Sequence, residues 1–153
     1  MDSVIHELAR FLGIPFEEAK KRVTSYNVGI AADKWNKKVP VTPSEIDEFY
    51  KSQSEFYLYE LIPWNYGNPV YQQRIEPLLK YHNKQILEIG AGVGSLCIAL
   101  AYAGNKVTYC DISDKLSAFA KQRFDDRGLN IPIVHDLKGL KDFDIVVAND
   151  FFE

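Results

Sequence analysis

Two cysteines and three histidines, scattered along 153 residues, are too few to build a zinc set of the usual spacing. Positive charge is not in excess either. Eighteen Lys and Arg stand against 21 Asp and Glu, for a net charge of −3, so the basic footprint that draws nucleic acid or anionic lipid is missing. No apolar run approaches the roughly 20 residues that a membrane-spanning helix needs. The opening, MDSVIHELAR, is acidic at its second position and amphipathic, unlike a secretory leader. Cys97 falls in a helical pattern and Cys110 in a strand pattern. A disulfide between them requires an oxidising compartment, and the reading preferred here is two buried free thiols in a cytoplasmic protein. Internal repeats, low-complexity tracts and long flexible linkers are also missing, and the length suits one ordinary domain or a small domain with part of another.

What is present divides into two halves of different rhythm. Residues 1–80 read as helices with polar joints, an N-terminal region with the character of a lid or substrate-contacting segment. Val4, Ile5, Leu8, Ala9 and Leu12 share one helical face that Gly13 closes. Pro15 suits the first turn of a second helix, with Glu17 and Glu18 near its positive end. The stretch NVGIAADKWNKKVPV, residues 27–41, breaks the pattern and is expected to be a connector. Thr42, Pro43 and Glu45 form a capping box for a helix carrying Ile46, Phe49, Tyr50, Gln53, Tyr57 and Leu61. LIPWNYGNP is expected to end that helix in turn structure, and a last helix is expected over about 69–81.

From residue 81 to 153 the pattern becomes strand, helix, strand. QILEIG, KVTYCDI, IPIVHD and FDIVVAND read as four strands, separated by helices at 95–103 and 114–126. Such alternation implies right-handed crossovers and a parallel α/β sheet. Between the first strand and the next helix stand Gly90, Gly92 and Gly94, preceded by a single acid, Glu88. A dinucleotide site of the Rossmann type reads G-x-G-x-x-G, whereas this loop reads G-x-G-x-G with Ser95 at the third-glycine position. Glu88 decides between ligands. A carboxylate aimed at that loop repels a pyrophosphate and attracts a cationic amino group, and leaving it unpaired in an apolar strand costs several kcal/mol.

ILEIGAGVG resembles the first motif of the class I S-adenosylmethionine-dependent methyltransferases, hydrophobic residues and an acid followed by G-x-G-x-G. The resemblance implies a Rossmann-like fold with sheet order 3-2-1-4 and S-adenosylmethionine as cofactor. Glu88 then corresponds to the residue that holds the methionine ammonium, with Gly90, Ala91, Gly92 and Gly94 around the methionine portion. Asp111, ending the second strand 21 residues after Gly90, corresponds to the acid on the ribose hydroxyls, and a carboxylate can accept from both. Asp136 corresponds to an acid that receives the adenine amino group, and Ile112 and Leu137 to the flanks of the ring. FDIVVANDFFE is similar to the fourth strand and following segment of the family, which puts Asn149 near the methionine portion.

The segment NDFFE lacks the (N/D)-P-P-aromatic motif of enzymes that methylate nucleic-acid bases and is similar to the D-x-x-E segment of small-molecule methyltransferases. A small-molecule acceptor is therefore expected, with no nucleic-acid or membrane partner. No catalytic base is assigned, because transfer from a sulfonium proceeds largely by proximity and exclusion of water; His135 abuts Asp136 but by strand alternation points to the opposite face. The aromatic residues Tyr50, Phe56, Tyr57, Tyr59, Trp64 and Tyr66 suit either a pocket or core packing. A complete family fold has seven strands and four are legible here. The reading is therefore a truncated fragment that binds cofactor without assured turnover, its fourth strand an open edge through which copies can associate. A non-catalytic nucleotide- or S-adenosylmethionine-binding module and an NAD-dependent oxidoreductase are the alternatives.

Overall fold

The computed structural model describes residues 1–25, 30–52 and 54–149. Helix α1 (Asp2–Leu12) buries Val4, Ile5, Leu8 and Ala9 and stops at Gly13, which adopts the left-handed conformation at φ 65°. Helix α2 (Phe16–Ser25) follows at once and buries Ala19 and Val23. Both agree with their apolar spacing.

The next three helices correct the sequence expectations in instructive ways. Within the expected connector, Ile30–Lys38 form helix α3; residues 27–29 lie outside the described residues. The Trp35 ring packs edge-on against Phe49 at 5.1 Å and tilts over Tyr50 at 5.8 Å, so aromatic burial overrides weak local signals. The helix expected from Thr42 onward is two helices, α4 (Pro43–Ser52) and α5 (Ser54–Gly67), with Gln53 outside the described residues. Its start follows the capping box: the Glu45 N–H donates to Thr42 Oγ1 at 3.3 Å, and Thr42 N–H donates to Glu45 Oε2 at 2.9 Å.

The turn expected at LIPWNYGNP is helical through Gly67, with Pro63 inside α5. Proline in a helix interior costs about 3 kcal/mol. Leu58 and Ile62 are wholly buried and Asn65 nearly so, and burying side chains of that size offsets the cost. Asn68 then caps α6 (Pro69–Ile75), its Oδ1 accepting from Val70 N–H at 2.8 Å. This helix ends six residues before the expected point. Pro77 has no N–H with which to continue the helical ladder, and a 3₁₀ turn (Leu78–Lys80) leads toward the sheet.

The sheet has the expected order. Strands β1 (Gln85–Ile89), β2 (Lys106–Cys110), β3 (Ile133–Val134) and β4 (Ile145–Val147) lie in the order β3-β2-β1-β4, all pairs parallel. Strands β3 and β4 are shorter than the runs IPIVHD and FDIVVAND, whose residue 150 lies outside the described residues. Helix α7 (Ser95–Tyr102) connects β1 to β2 and α8 (Asp114–Asp125) connects β2 to β3. This is a Rossmann-like α/β layer.

Two apolar clusters hold the molecule. One joins the sheet to α6, α7 and α8 through Tyr71, Ile86, Leu96, Leu100, Tyr109 and Phe124. The other joins α1, α2 and α5 to Val93, Leu116 and Phe119. The helices of the first half thus close over α8 and the glycine loop, rather than standing apart from them. Among the described residues, no helix is long and apolar enough to cross a membrane.

Candidate functional site

Strand β1 alternates, so Ile86 and Glu88 share the face covered by α7. Glu88 is 5% exposed, and its Oε2 accepts the Sγ–H of Cys97 at 2.9 Å. Burial pushes the Glu88 carboxyl up to about 7, against the pull of that hydrogen bond, and the negative charge of Asp111 adds to the rise. Cys97 is buried and free, and burial and the neighbouring carboxyl raise its thiol well above the usual range. A thiol is a weak donor, and together with a backbone hydrogen bond from Cys97 it does not offset the water an ionised carboxylate loses on burial. Near neutral pH the buried Glu88 carboxyl is therefore protonated far more often than an exposed one.

The loop after β1 is shaped by backbone that only glycine adopts readily. Gly90, Gly92 and Gly94 have φ of 68°, 53° and 71°. At Gly94 the missing side chain makes room for protein: a Cβ there would stand 2.8 Å from Phe124 Cζ and 3.1 Å from Ala120 Cβ. At Gly92 a Cβ would stand 2.7 Å from Leu61 Cδ1, which places α5 directly over the loop. Ala91 is buried, and its N–H donates to Cys110 O at 3.1 Å.

Asp111 ties the end of β2 to this loop. Its Oδ2 accepts from Gly92 N–H and its Oδ1 from Ser113 N–H, each at 2.9 Å. Burial raises the Asp111 carboxyl while the two backbone donors oppose the rise. Each carboxylate oxygen keeps a further lone pair for a hydroxyl donor. The N-cap of α8 is Ser113, whose Oγ accepts from Leu116 N–H at 3.2 Å, so Asp111 is not spent as that cap.

Ile112, half-buried, follows Asp111 at the same sheet edge. Asp136 is exposed beyond β3, and its Oδ1 accepts from Lys138 N–H at 2.8 Å. Leu137 beside it is 50% exposed. His135 Nδ1 lies 3.0 Å from the Asp111 carbonyl oxygen, which puts the end of β3 against the end of β2. Asn149 stands half-buried in the turn after β4, two residues past Val147, the partner of Glu88 in the sheet register. All of these residues gather at the carboxyl edge of the strands, where open α/β sheets bind ligands.

Several residues that shape the site were not singled out in the sequence. Cys97 partners Glu88. The Tyr109 hydroxyl, buried, donates to Gly92 O at 2.7 Å; it sits two positions before Asp111 and therefore on the same strand face. Leu61 covers Gly92. Arg123, wholly buried, donates to Val93 O and to Ser95 Oγ. A helical period marks Leu61 and Arg123 as facing inward or outward, but not what they face. The aromatic residues mostly pack on one another and on neighbouring chain: Tyr50 stacks with Tyr57 at 5.8 Å, and Tyr66 lies 5.6 Å from the Arg123 guanidinium.

Over part of its length the chain is similar to known methyltransferases. Residues 87–153 match the model of a family described as "Methyltransferase domain". The ubiquinone biosynthesis O-methyltransferase of Coxiella burnetii is 33% identical over 96 residues, which cover 60% of this chain and 41% of that protein. Among solved structures, magnesium protoporphyrin IX methyltransferase from Synechocystis with bound S-adenosylhomocysteine is similar at 24% identity and a TM-score of 0.40, over 84% of this chain and 57% of that one. The PH0226 protein of Pyrococcus horikoshii is similar at 27% identity and a TM-score of 0.45, over 57% of this chain and 48% of its own. Through residues 87–153 the chain is similar to the methyltransferase domain family. It spans about two fifths of the length of the curated relatives it matches.

Proposed function

We propose that the chain binds S-adenosylmethionine at the carboxyl edge of its sheet and serves methyl transfer to a small-molecule acceptor. The observation that carries this reading is Glu88, a buried acid at the glycine loop that accepts hydrogen bonds from Cys97 and has no cation beside it among the described residues. A proton relieves the buried charge at low pH, and a cationic ligand can take that place when the carboxylate is ionised. Glu88 would hold the methionine ammonium and Asp111 the ribose hydroxyls. Gly90, Ala91, Gly92 and Gly94, with Asn149, would line the methionine portion. Asp136, Ile112 and Leu137 would surround the adenine. When bound, S-adenosylmethionine supplies an electrophilic methyl on a sulfonium. The chain's own part is to orient the donor, and residues 1–80 act as a lid that excludes water through Leu61 and its neighbours. Residues 81–153 form the cofactor half, and the free buried thiols suit a cytoplasmic setting. An NAD-dependent oxidoreductase fits less well, because Glu88 repels a pyrophosphate.

The acceptor class is tested by incubating the protein with methyl-labelled S-adenosylmethionine and a panel of phenols, amines, protein and RNA. The O-methyltransferase relative makes a hydroxyl acceptor the first choice. Label in the small-molecule fraction, lost in Asp111→Ala, is the expected outcome; label only in protein or RNA would refute it. The outer edge of β4 is the proposed surface for self-association. Val146 there is 56% exposed, so sedimentation should show mass rising with concentration.

A further inference from the structure

The loop that carries Val93, Gly94 and Ser95 is fastened from outside the sheet by one side chain, Arg123 of α8. Arg123 is 0% exposed, the largest of the fully buried side chains. Its guanidinium reaches four groups on three separate elements. Nε donates to Glu7 Oε2 of α1 at 2.8 Å. Nη1 donates to Val93 O and to Ser95 Oγ at the start of α7. Nη2 donates to the Tyr66 hydroxyl of α5. Glu7 is gripped a second time by Arg127, and the Gln122 side chain donates to the Glu7 carbonyl at 3.1 Å. The next residue along α8, Phe124, fills the space that a side chain on Gly94 would need.

A buried arginine is tolerable only if its donors are met, and here they are met by the loop and by the helices of the first half together. Leucine or methionine would pack this position with far less desolvation. What arginine adds is a planar fork that sets α1, α5 and the loop at fixed angles to one another. The hydrogen bonds of Arg123 run to the loop and to α1 and α5, so its effect on a ligand above Gly90 or Asp111 passes through the loop backbone.

We infer that Arg123 and Glu7 are positioning residues for the cofactor loop, coupling the docking of the N-terminal helices to the affinity of the site for S-adenosylmethionine. The inference rests on the proposed function, since it names what the loop is held for. Loss of the fork frees Val93 O and Ser95 Oγ. The loop then samples conformations in which the Gly92 amide leaves Asp111, and binding must first reorder it.

The test uses the whole chain and four variants: Arg123→Met, Glu7→Gln, Tyr66→Phe and, as a control, Val107→Ala. Val107 is buried in β2 away from the loop, so its variant matches the loss of Tm without touching the fork. Arg123→Met is expected to weaken S-adenosylmethionine binding roughly tenfold, Glu7→Gln and Tyr66→Phe by a smaller factor, and Val107→Ala by none beyond error. Amide exchange at Gly94 and Ser95 should accelerate in Arg123→Met and stay unchanged in Val107→Ala. Unaltered affinity and exchange in folded Arg123→Met would overturn the inference. So would an equal loss of affinity in Val107→Ala, since the effect would then be general destabilisation. If Arg123→Met does not fold, Glu7→Gln and Tyr66→Phe carry the same readouts, and wild-type values in both would overturn it. Failure of the unmodified chain to bind S-adenosylmethionine would instead refute the proposed function, leaving amide exchange to decide the role of the fork.

Discussion

Gly94→Ala is expected to lower stability by roughly 3 kcal/mol, about 1 from forcing a left-handed backbone on alanine and about 2 from overpacking. For a chain of this length that corresponds to a fall in Tm of roughly 10 °C. The added Cβ would meet Phe124 Cζ at 2.8 Å and Cε1 at 2.9 Å, and Ala120 Cβ at 3.1 Å. These are a wholly buried ring and a buried helix position, neither of which can swing into solvent. Gly13→Ala separates the two contributions. Gly13 has a similar φ of 65°, but nothing lies within 4 Å of its added Cβ, so only the backbone penalty of about 1 kcal/mol remains. Thermal unfolding followed by circular dichroism reads both. Equal losses in the two variants would show that Phe124 does not pack against Gly94 as described.

The second large effect concerns pH. Glu88 is raised from 4.5 to about 7, chiefly by burial, so the folded chain holds this proton more tightly than the unfolded one. Stability from this group is full below about pH 4.5 and is lost as pH rises through 7, at most about 3 kcal/mol by linkage. Glu88→Gln should abolish that slope and leave the protein more stable than wild type at pH 8. Binding should move the other way. A cationic ligand needs the ionised carboxylate, so affinity should climb about tenfold per unit from pH 5.5 and level off near 7. It should fall again above about 8 as the ligand's own α-amino group loses its proton. In Glu88→Gln the affinity should be lower by at least roughly thirtyfold, the cost of removing one partner of a buried charge pair. A variant that gains stability and loses affinity identifies a residue kept for its ligand. Chemical denaturation across pH, paired with titration of S-adenosylmethionine, measures both. Unchanged affinity in Glu88→Gln would remove the ammonium site.

How far the fold was legible varied with the kind of signal. The parallel sheet followed from the alternation of strands and helices, and its order from the resemblance of ILEIGAGVG to the methyltransferase motif. Gly90, Gly92 and Gly94 marked the loop because only glycine accepts their φ values cheaply. The capping box at Thr42 and Glu45 is a local interaction and read correctly. Helix α3 was not legible, since Trp35 gains its place from Phe49 and Tyr50, which lie more than ten residues away. Pro63 misled for the same reason: its local penalty is outweighed by burial of Leu58 and Ile62, which only the folded chain reveals. In the site, Glu88 and Asp111 stood out as acids in apolar strands. Cys97, Leu61 and Arg123 did not, because each acts by meeting a residue far along the chain. Arg123 reads in sequence as an ordinary helix-surface cation, and its burial depends on Glu7, 116 positions earlier.

The central claim is that the carboxyl edge of this sheet holds S-adenosylmethionine with its ammonium on Glu88. Calorimetric titration at pH 6 in two buffers of different ionisation enthalpy tests it most directly. A dissociation constant in the roughly micromolar range, about −8 kcal/mol, is predicted, with close to one proton released per ligand bound. The release should shrink as the pH passes 7, and NAD should give no binding heat. Binding without proton release, equally tight in Glu88→Gln, would contradict the account, as would folded protein that gives no heat with S-adenosylmethionine at all.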